Sequence, residues 1–241
     1  MSVQSFKKDL WEAAILEEYK GICIADVITM APSRVDGVKA IFNRASLTNG
    51  LQDYEGTVDY EGINTTNVDL LFDQQKYFAY AMDDVDEVQL AGDVMGPIAR
   101  QIAYEVKRHI DKAVLAEAIN GAKTKIKNVS LASPEMVYDS IVDLGTALDE
   151  QDAPEEGRFV IASPEIVNLL AKDKRVIDNA NVLPNGIVVG MQINGMQVIK
   201  TTAATKGKVI ALHNSAVGYG KQLEKLEALR LESSFSDAVR G

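Results

Sequence analysis

The chain has little of what catalysis and secretion usually require. Its 241 residues include two histidines, one cysteine and one tryptophan. A single cysteine cannot form an intrachain disulfide, which fits folding in a reducing cytosol. Cys23 lies in the apolar stretch GICIADV and is expected as a buried thiol, because a reactive thiolate needs positive surroundings that this stretch does not supply. His109 and His213 stand in no nucleophile–base pattern, and no histidine or cysteine pair has zinc spacing. His109 follows Glu105 by one helical turn, the spacing of a surface ion pair, and His213 precedes Asn214-Ser215, where a turn histidine bonded to backbone is expected. Neither the P-loop nor the dinucleotide glycine pattern occurs, since Gly218-Tyr219-Gly220 lacks a further glycine and a strand-to-helix context. There is no run of about 18 apolar residues to span a membrane, and MSVQSFKKDLW lacks the apolar core of a signal peptide. Positive charge is also short: 35 acids against 25 Lys and Arg leave a formal charge of -10, which disfavours a general nucleic-acid-binding face.

What is present is a long chain with enough apolar residues for a full core, as one large domain or two small ones. Residues 5–19 carry Phe6, Leu10, Ala13, Ala14 and Leu16 at helical spacing, and an extended stretch over 22–30 is expected to follow as part of a separate N-terminal arm. Residues 34–67 are polar and turn-rich, with Asn49-Gly50, Glu55-Gly56 and Glu61-Gly62 interrupting strand signals at Val38, Phe42, Val58 and Tyr60. The spacing predicts a long hairpin with little core of its own, and excursions of that length usually work on a partner. Val68, Leu70 and Phe72, then Phe78, Tyr80 and Met82, alternate as half-buried strands do.

The strongest helical signal runs over 97–120, with Ile98, Ile102, Val106, Ile110, Val114 and Ala118 on one stripe and Gly121 as the expected C-cap. The second half reads as a compact α/β unit. Two Ser-Pro-Glu starts, at Ser133 and Ser163, open helices; residues 158–162 form a short buried strand; and Asn194-Gly195 is a type I′ hairpin dipeptide. Another strand is expected over 208–213, and the charged tail from Lys221 carries a mixed helix and strand signal.

Within KYFAYAMDDVDEV, the acids Asp83, Asp84, Asp86 and Glu87 invite a metal reading. Asp84-Val85-Asp86 starts like a calcium loop, but Val88 stands where a ligand is needed and Gln89 where glycine is needed. Asp84 and Glu87 fit a capping box at a helix entrance instead. No catalytic residue, cofactor site or metal site is expected.

The stretch LLFDQQKYFAYAMDDVDEVQL, followed by a long helix ending in KRHIDKAV, resembles the major capsid proteins of tailed bacteriophages, the Hong Kong 97-like coat fold. VKAIFNRASLTNGLQDYEGTVDY resembles that family's β-hairpin extension (the E-loop), EGRFVIASPEIVNLLAKDKRV its axial-domain strand and helix, GMQINGMQVIKTT its hairpin, and SFSDAVRG its closing segment. The resemblance implies an α+β fold: an N-terminal arm over 1–30, the extended hairpin and its return strand over 31–82, a peripheral domain with a spine helix over 83–127, a compact axial domain over 128–220, and a return to the peripheral domain over 221–241. Relatives usually continue into another peripheral-domain strand beyond the position matching Gly241. No N-terminal segment of the fused-scaffold kind is recognised, so a separate scaffolding protein, or none, is implied.

The function implied is self-assembly, as pentamers and hexamers, into an icosahedral or prolate virion shell built in the bacterial cytoplasm. Leu47, Leu51, Tyr54, Val58, Tyr60 and Ile63 of the extension, with Phe6 and Trp11 of the arm, are the expected subunit-interface residues. The acidic balance suits an inner wall that encloses DNA without binding it specifically or tightly. A portal is a further expected partner; a membrane is not. Two rivals stand beside this reading: an encapsulin-like compartment of the same fold, and a soluble α/β enzyme or binding domain whose site lacks a recognisable motif.

Overall fold

The computed structural model describes residues 23–46, 62–83, 95–127, 129–177, 192–222, 227–231 and 236–241, with positions 53, 54, 56 and 60 besides. In chain order the elements are α1 (Ile24–Ile28), β1 (Arg34–Asp36), β2 (Lys39–Ser46), β3 (Asn64–Leu71), β4 (Ala79–Asp83), α2 (Met95–Gly121), α3 (Pro134–Asp149), β5 (Arg158–Ala162), α4 (Pro164–Leu170) and α5 (Lys174–Ile177). Then come β6 (Gln192–Ile193), β7 (Met196–Lys200), β8 (Val209–His213), β9 (Glu227–Leu231) and β10 (Ser236–Arg240). They make three sheets, ordered β1-β2-β3, β4-β10-β9 and β6-β7-β5-β8.

β5 is buried along its whole length. Because successive side chains of a strand point to opposite faces, RFVIA supplies two cores at once. Phe159 and Ile161 pack with Cys23, Ala25 and Ile28 of the α1 region, Val114 and Leu115 of α2, and Ile210 and Leu212 of β8. Val160 and Ala162 pack on the other side with Val137 and Ile141 of α3, Ile166 and Leu170 of α4, and Met196 of β7. Parallel pairing to β7 and antiparallel pairing to β8 hold the strand on both edges.

The 27 residues of α2 span about 40 Å. The helix starts two residues before the expected position, and Gly121 is its last residue rather than a cap beyond it. Its buried face changes along its length. Ala99 and Ile102 near its start join Val239 of β10 and the half-buried Phe78 in a separate small core, while Val114 and Leu115 near its end belong to the core under β5. The helix therefore ties the second sheet to the third. The tail that read as mixed helix and strand is β9 and β10, with β10 lying between β4 and β9 and pairing antiparallel to both.

The stretch expected to be extended over 22–30 is instead helical at Ile24–Ile28 and packed into the main core rather than separate from it. Its causes are hydrogen bonds. The Cys23 N–H donates to Asp26 Oδ2 at 3.2 Å, the Ala25 N–H to Asp111 Oδ1 of α2 at 2.9 Å, and Thr29 Oγ1–H to the Ala25 carbonyl at 2.7 Å. Lys221 Nζ pairs with Asp26 Oδ2 at 2.7 Å from the far side of the sequence. Burial alone would raise the Asp26 carboxyl; hydrogen bonds from Lys221 and Cys23 outweigh it and hold the group below its ordinary range. Asp111, more deeply enclosed, is pushed up by burial. Cys23 is the expected buried thiol, and burial pushes it up to about 11.

The two Ser-Pro-Glu starts differ. Ser133 Oγ accepts from the Met136 N–H at 3.3 Å, as an N-cap should. Ser163 has cap dihedrals but its buried hydroxyl bonds nothing among the described residues, and α4 occupies Pro164–Leu170, directly after that start, where the sequence alone suggests 166–172. Past Leu170 the chain tightens into i→i+3 turns, and the Arg175 N–H bonds Asp173 Oδ1 at 2.9 Å. At the β6–β7 turn Asn194 and Gly195 have φ of 48° and 73°, the two left-handed positions a type I′ turn requires. The stretch before this turn, which the sequence suggests as a loop over 181–186 and a strand over 187–189, lies outside the described residues.

β3, expected to be half-buried, is exposed at every residue, and so are Ala79 and Tyr80 of β4. The first sheet is buried only at its root. Ala40 and Phe42 of β2 are enclosed there because Gly218 and Gly220 let the backbone come close: a Cβ on Gly220 would stand 2.8 Å from Ala40 Cβ, and one on Gly218 would stand 3.1 Å from Phe42 Cζ. Met30 ties the same corner, its N–H donating to the Val217 carbonyl at 2.9 Å and its carbonyl accepting from the Tyr219 N–H at 3.3 Å. The glycines that resembled a fragment of a nucleotide fingerprint are the seat of the hairpin.

Three outcomes are expected. Arg158 is buried, with Nη1 on Asp149 Oδ1 at 2.6 Å, Nε on the Pro154 carbonyl at 2.8 Å and Nη2 on the Ala153 carbonyl. Arg158→Met should cost about 2–4 kcal/mol in chemical denaturation, because those acceptors lose charge-assisted bonds. Gly220→Val should force Ala40 and the hairpin root apart, seen as faster protease cleavage within β2 and β3 than in β5 or α3. Asp173, buried and bonded twice by the Arg175 guanidinium (2.8 and 3.1 Å) besides the bond from the Arg175 N–H, is held below the ordinary carboxylate range by the guanidinium. A depressed folded-state pKa stabilises above the unfolded value of about 4 and loses that contribution as pH falls through the depressed one. Urea midpoints of the protein and of Arg175→Gln should therefore differ most near neutrality and converge on acidification below about pH 4.

Candidate assembly interface

The β2–β3 pair has two unlike faces. Its register sets Ala40 opposite Leu70 and Phe42 opposite Val68, while β1 sets Val35 opposite Ala40. Directly opposed residues share a face. One face therefore carries Val35, Ala40, Phe42, Val68 and Leu70, and the other, of mixed character, carries Lys39, Asn43, Asn67 and Asp69 with Ile41 and the exposed Leu71. Lys39 Nζ meets Asp69 Oδ2 at 2.7 Å on the mixed face, an exposed pair that contributes little to stability. On the apolar face burial ends at the root: Ala40 is 0% and Phe42 9% exposed, but Val68 is 52% and Val35 42% exposed. A continuous apolar stripe thus runs from the core into solvent, the mark of an interaction site.

Most of the large apolar side chains exposed among the described residues lie between Val35 and Tyr80. Of the expected interface residues, Tyr54, Tyr60 and Ile63 are strongly exposed beyond the paired part of the hairpin. Leu47, Leu51, Val58, Phe6 and Trp11 lie outside the described residues, as do Asp84, Asp86 and Glu87 and with them the expected capping box. Asp83 closes β4, paired with Ser236. The sequence reading took the alternation of Val68 and Leu70 for burial and did not single out Val35. Alternation gives the apolar face but not what covers it.

Among the described residues no alternative site competes. His213 Nδ1 accepts from the Ser215 N–H at 3.2 Å, which leaves Nε2 to donate to the Glu156 carbonyl at 2.9 Å, the expected turn role. His109 is exposed on α2. Among the described residues no group of three or more histidine, cysteine, aspartate or glutamate side chains could hold a metal ion, and no helix is long and apolar enough to cross a membrane.

Comparison with known proteins gives this arrangement a family. The model of the family described as phage capsid protein matches residues 67–238, the greater part of the chain. No curated protein matches. Among solved structures, a chain of Mycobacterium phage Che8 is 24% identical with a TM-score of 0.66, covering 85% of this chain and 78% of its own. The capsid of cyanophage P-SCSP1u is 16% identical with a TM-score of 0.63, covering 91% and 82%. A virus-like particle from Pyrococcus furiosus is 17% identical with a TM-score of 0.60, covering 97% and 91%. The mixture of helix and sheet agrees with that likeness, and the chain belongs to the phage capsid protein family, with the Hong Kong 97-like fold of tailed-phage major capsid proteins and a place in the virion shell.

Proposed function

We propose that copies of this chain close into a shell of pentamers and hexamers in which each β2–β3 hairpin lies over a neighbouring subunit. The observation that carries this reading is the anchored root with an exposed continuation: Ala40 and Phe42 fixed on Gly218 and Gly220, Val68 and Leu70 left in solvent on the same face. A subunit that offers and receives the same contact gains collectively from modest interfaces repeated around a closed surface. Tyr54, Tyr60 and Ile63, with Leu47, Leu51 and Val58, extend the hairpin's contact, and Phe6 and Trp11 serve a strap formed by the residues before Cys23.

The domain division consistent with this role places the arm at 1–30, the hairpin and its return at 31–82, a peripheral domain at 83–127 with a return at 221–241, and an axial domain at 128–220. The core formed by α1, α2 and β5 is then the joint at which the arm's last residues are held. The role is structural rather than catalytic. A separate scaffolding protein and a portal fit as partners, and DNA is enclosed without sequence-specific binding. The match to phage capsid proteins favours such a shell over an encapsulin-like compartment.

Electron micrographs of the purified protein, alone or with its scaffold, should show shells or capsomers; a monodisperse monomer in both conditions would count against assembly. Val68→Asp with Leu70→Asp should leave the melting transition of the subunit within a few degrees of wild type and abolish closed shells. Normal shells from that pair would refute the hairpin's role.

A further inference from the structure

The chain carries 35 acids against 25 bases, yet one exposed surface of α2 is basic. Arg100, Tyr104, Arg108 and Lys112 follow one another four residues apart, and all four are exposed. Residues at that spacing stack on neighbouring turns. The ridge they make is about 18 Å long and rises about 6 Å per step.

Arg100 is engaged in an interaction of its own, so the ridge's positive charge rests on Arg108 and Lys112, and the other charged groups of the helix leave that end positive. Asp111 is buried and turned to the Ala25 N–H. Glu105 is exposed beside Tyr104 and lies within one turn of both Arg108 and His109, Lys107 is half-buried, and Glu117 lies more than a turn past Lys112. The net negative charge of the molecule does not cancel such a ridge at short range, because the screening length is about 8 Å at physiological salt and more distant acids are felt weakly. Tyr104, 60% exposed between two arginines, adds a flat surface with a polar tip.

We propose that this ridge contacts the phosphate backbone of duplex nucleic acid, giving an otherwise acidic shell subunit a weak, sequence-independent hold on the genome. The inference rests on the capsid reading for the identity of the nucleic acid, and on the ridge alone for the binding. Fixed cations at a regular step recognise phosphate charge and carry no base information.

The test is fluorescence anisotropy of a short labelled DNA duplex of mixed sequence with unassembled full-length protein across a salt series, a parallel portion of each preparation being taken through assembly conditions and imaged for shells. Wild type should bind at low salt with steep salt dependence. Arg108→Gln with Lys112→Gln should weaken binding about tenfold and reduce the slope of log K against log salt by about 2, while Lys172→Gln with Lys206→Gln, the same charge change on other exposed lysines, should leave both unchanged. Lys112→Gln alone, at an exposed position, should give about half the effect on the slope. Absence of wild-type binding, equal weakening by the two pairs, or displacement of the duplex by polyglutamate at lower charge concentration than by unlabelled DNA would each overturn the proposal, the last in favour of an acidic protein partner. Failure of the capsid reading would show separately, as the absence of shells with duplex binding intact.

Discussion

Burial of β5 on both faces is the constraint on which the rest depends. A strand whose side chains enter two cores must be covered on both sides, and the covers differ: α3 and α4 on one side, α1 and the end of α2 on the other. The second cover has no local origin, since it joins residues near Cys23 to residues near Leu115, Phe159 and Leu212. Because α2 continues about 40 Å to the small core around Val239, fixing its end under β5 also places the second sheet. The hairpin is seated against residues 218–220, just past β8 and its 3₁₀ turn, so its direction too follows from the third sheet.

Polar groups reinforce this plan where apolar contacts thin out. Arg158 begins β5 and gathers the end of α3 through one carboxylate and two carbonyls. Asp26, Asp111 and Lys221 draw α1, α2 and the exit from the third sheet together, one carboxyl held down by its partners and the other pushed up by enclosure. The two acids respond to pH in opposite senses. Burial that its hydrogen bonds and the more distant Lys221 do not offset leaves Asp111 easier to protonate in the folded state, whereas Asp26 stays charged.

Elements with a strong local signal were legible in the sequence. β5 was visible as a short apolar run, α2 as a stripe of period near 3.6, α3 by its Ser-Pro-Glu start, and the Asn194-Gly195 turn as a dipeptide whose two left-handed positions almost dictate the hairpin. The helical turn at Ile24–Ile28 was not legible, because its carboxylate partner Asp111 is 86 residues away. Nor was the fate of Ser163, which has the same neighbours as Ser133 but a buried environment in which its hydroxyl makes no cap. The candidate interface was half legible: its place in a long polar hairpin could be read, while the exposed side of Val68 and Leu70 could not, since alternation looks the same whether a strand is covered by its own chain or by another.

The separation of paired segments along the chain also orders events in time. β2 and β3 can close as soon as their connecting residues exist, whereas β10 pairs with β4 across more than 150 residues and lies between its two neighbours. Local pairings form before distant ones, because loop closure is costly until long-range contacts repay it. A nascent chain therefore presents its apolar hairpin face before the sheet that steadies α2 is complete, and Lys221, which clamps Asp26, arrives only after β8. Sticky surface early and rigid frame late is a kinetic hazard, in which half-made subunits can capture one another before either has the shape a regular lattice needs.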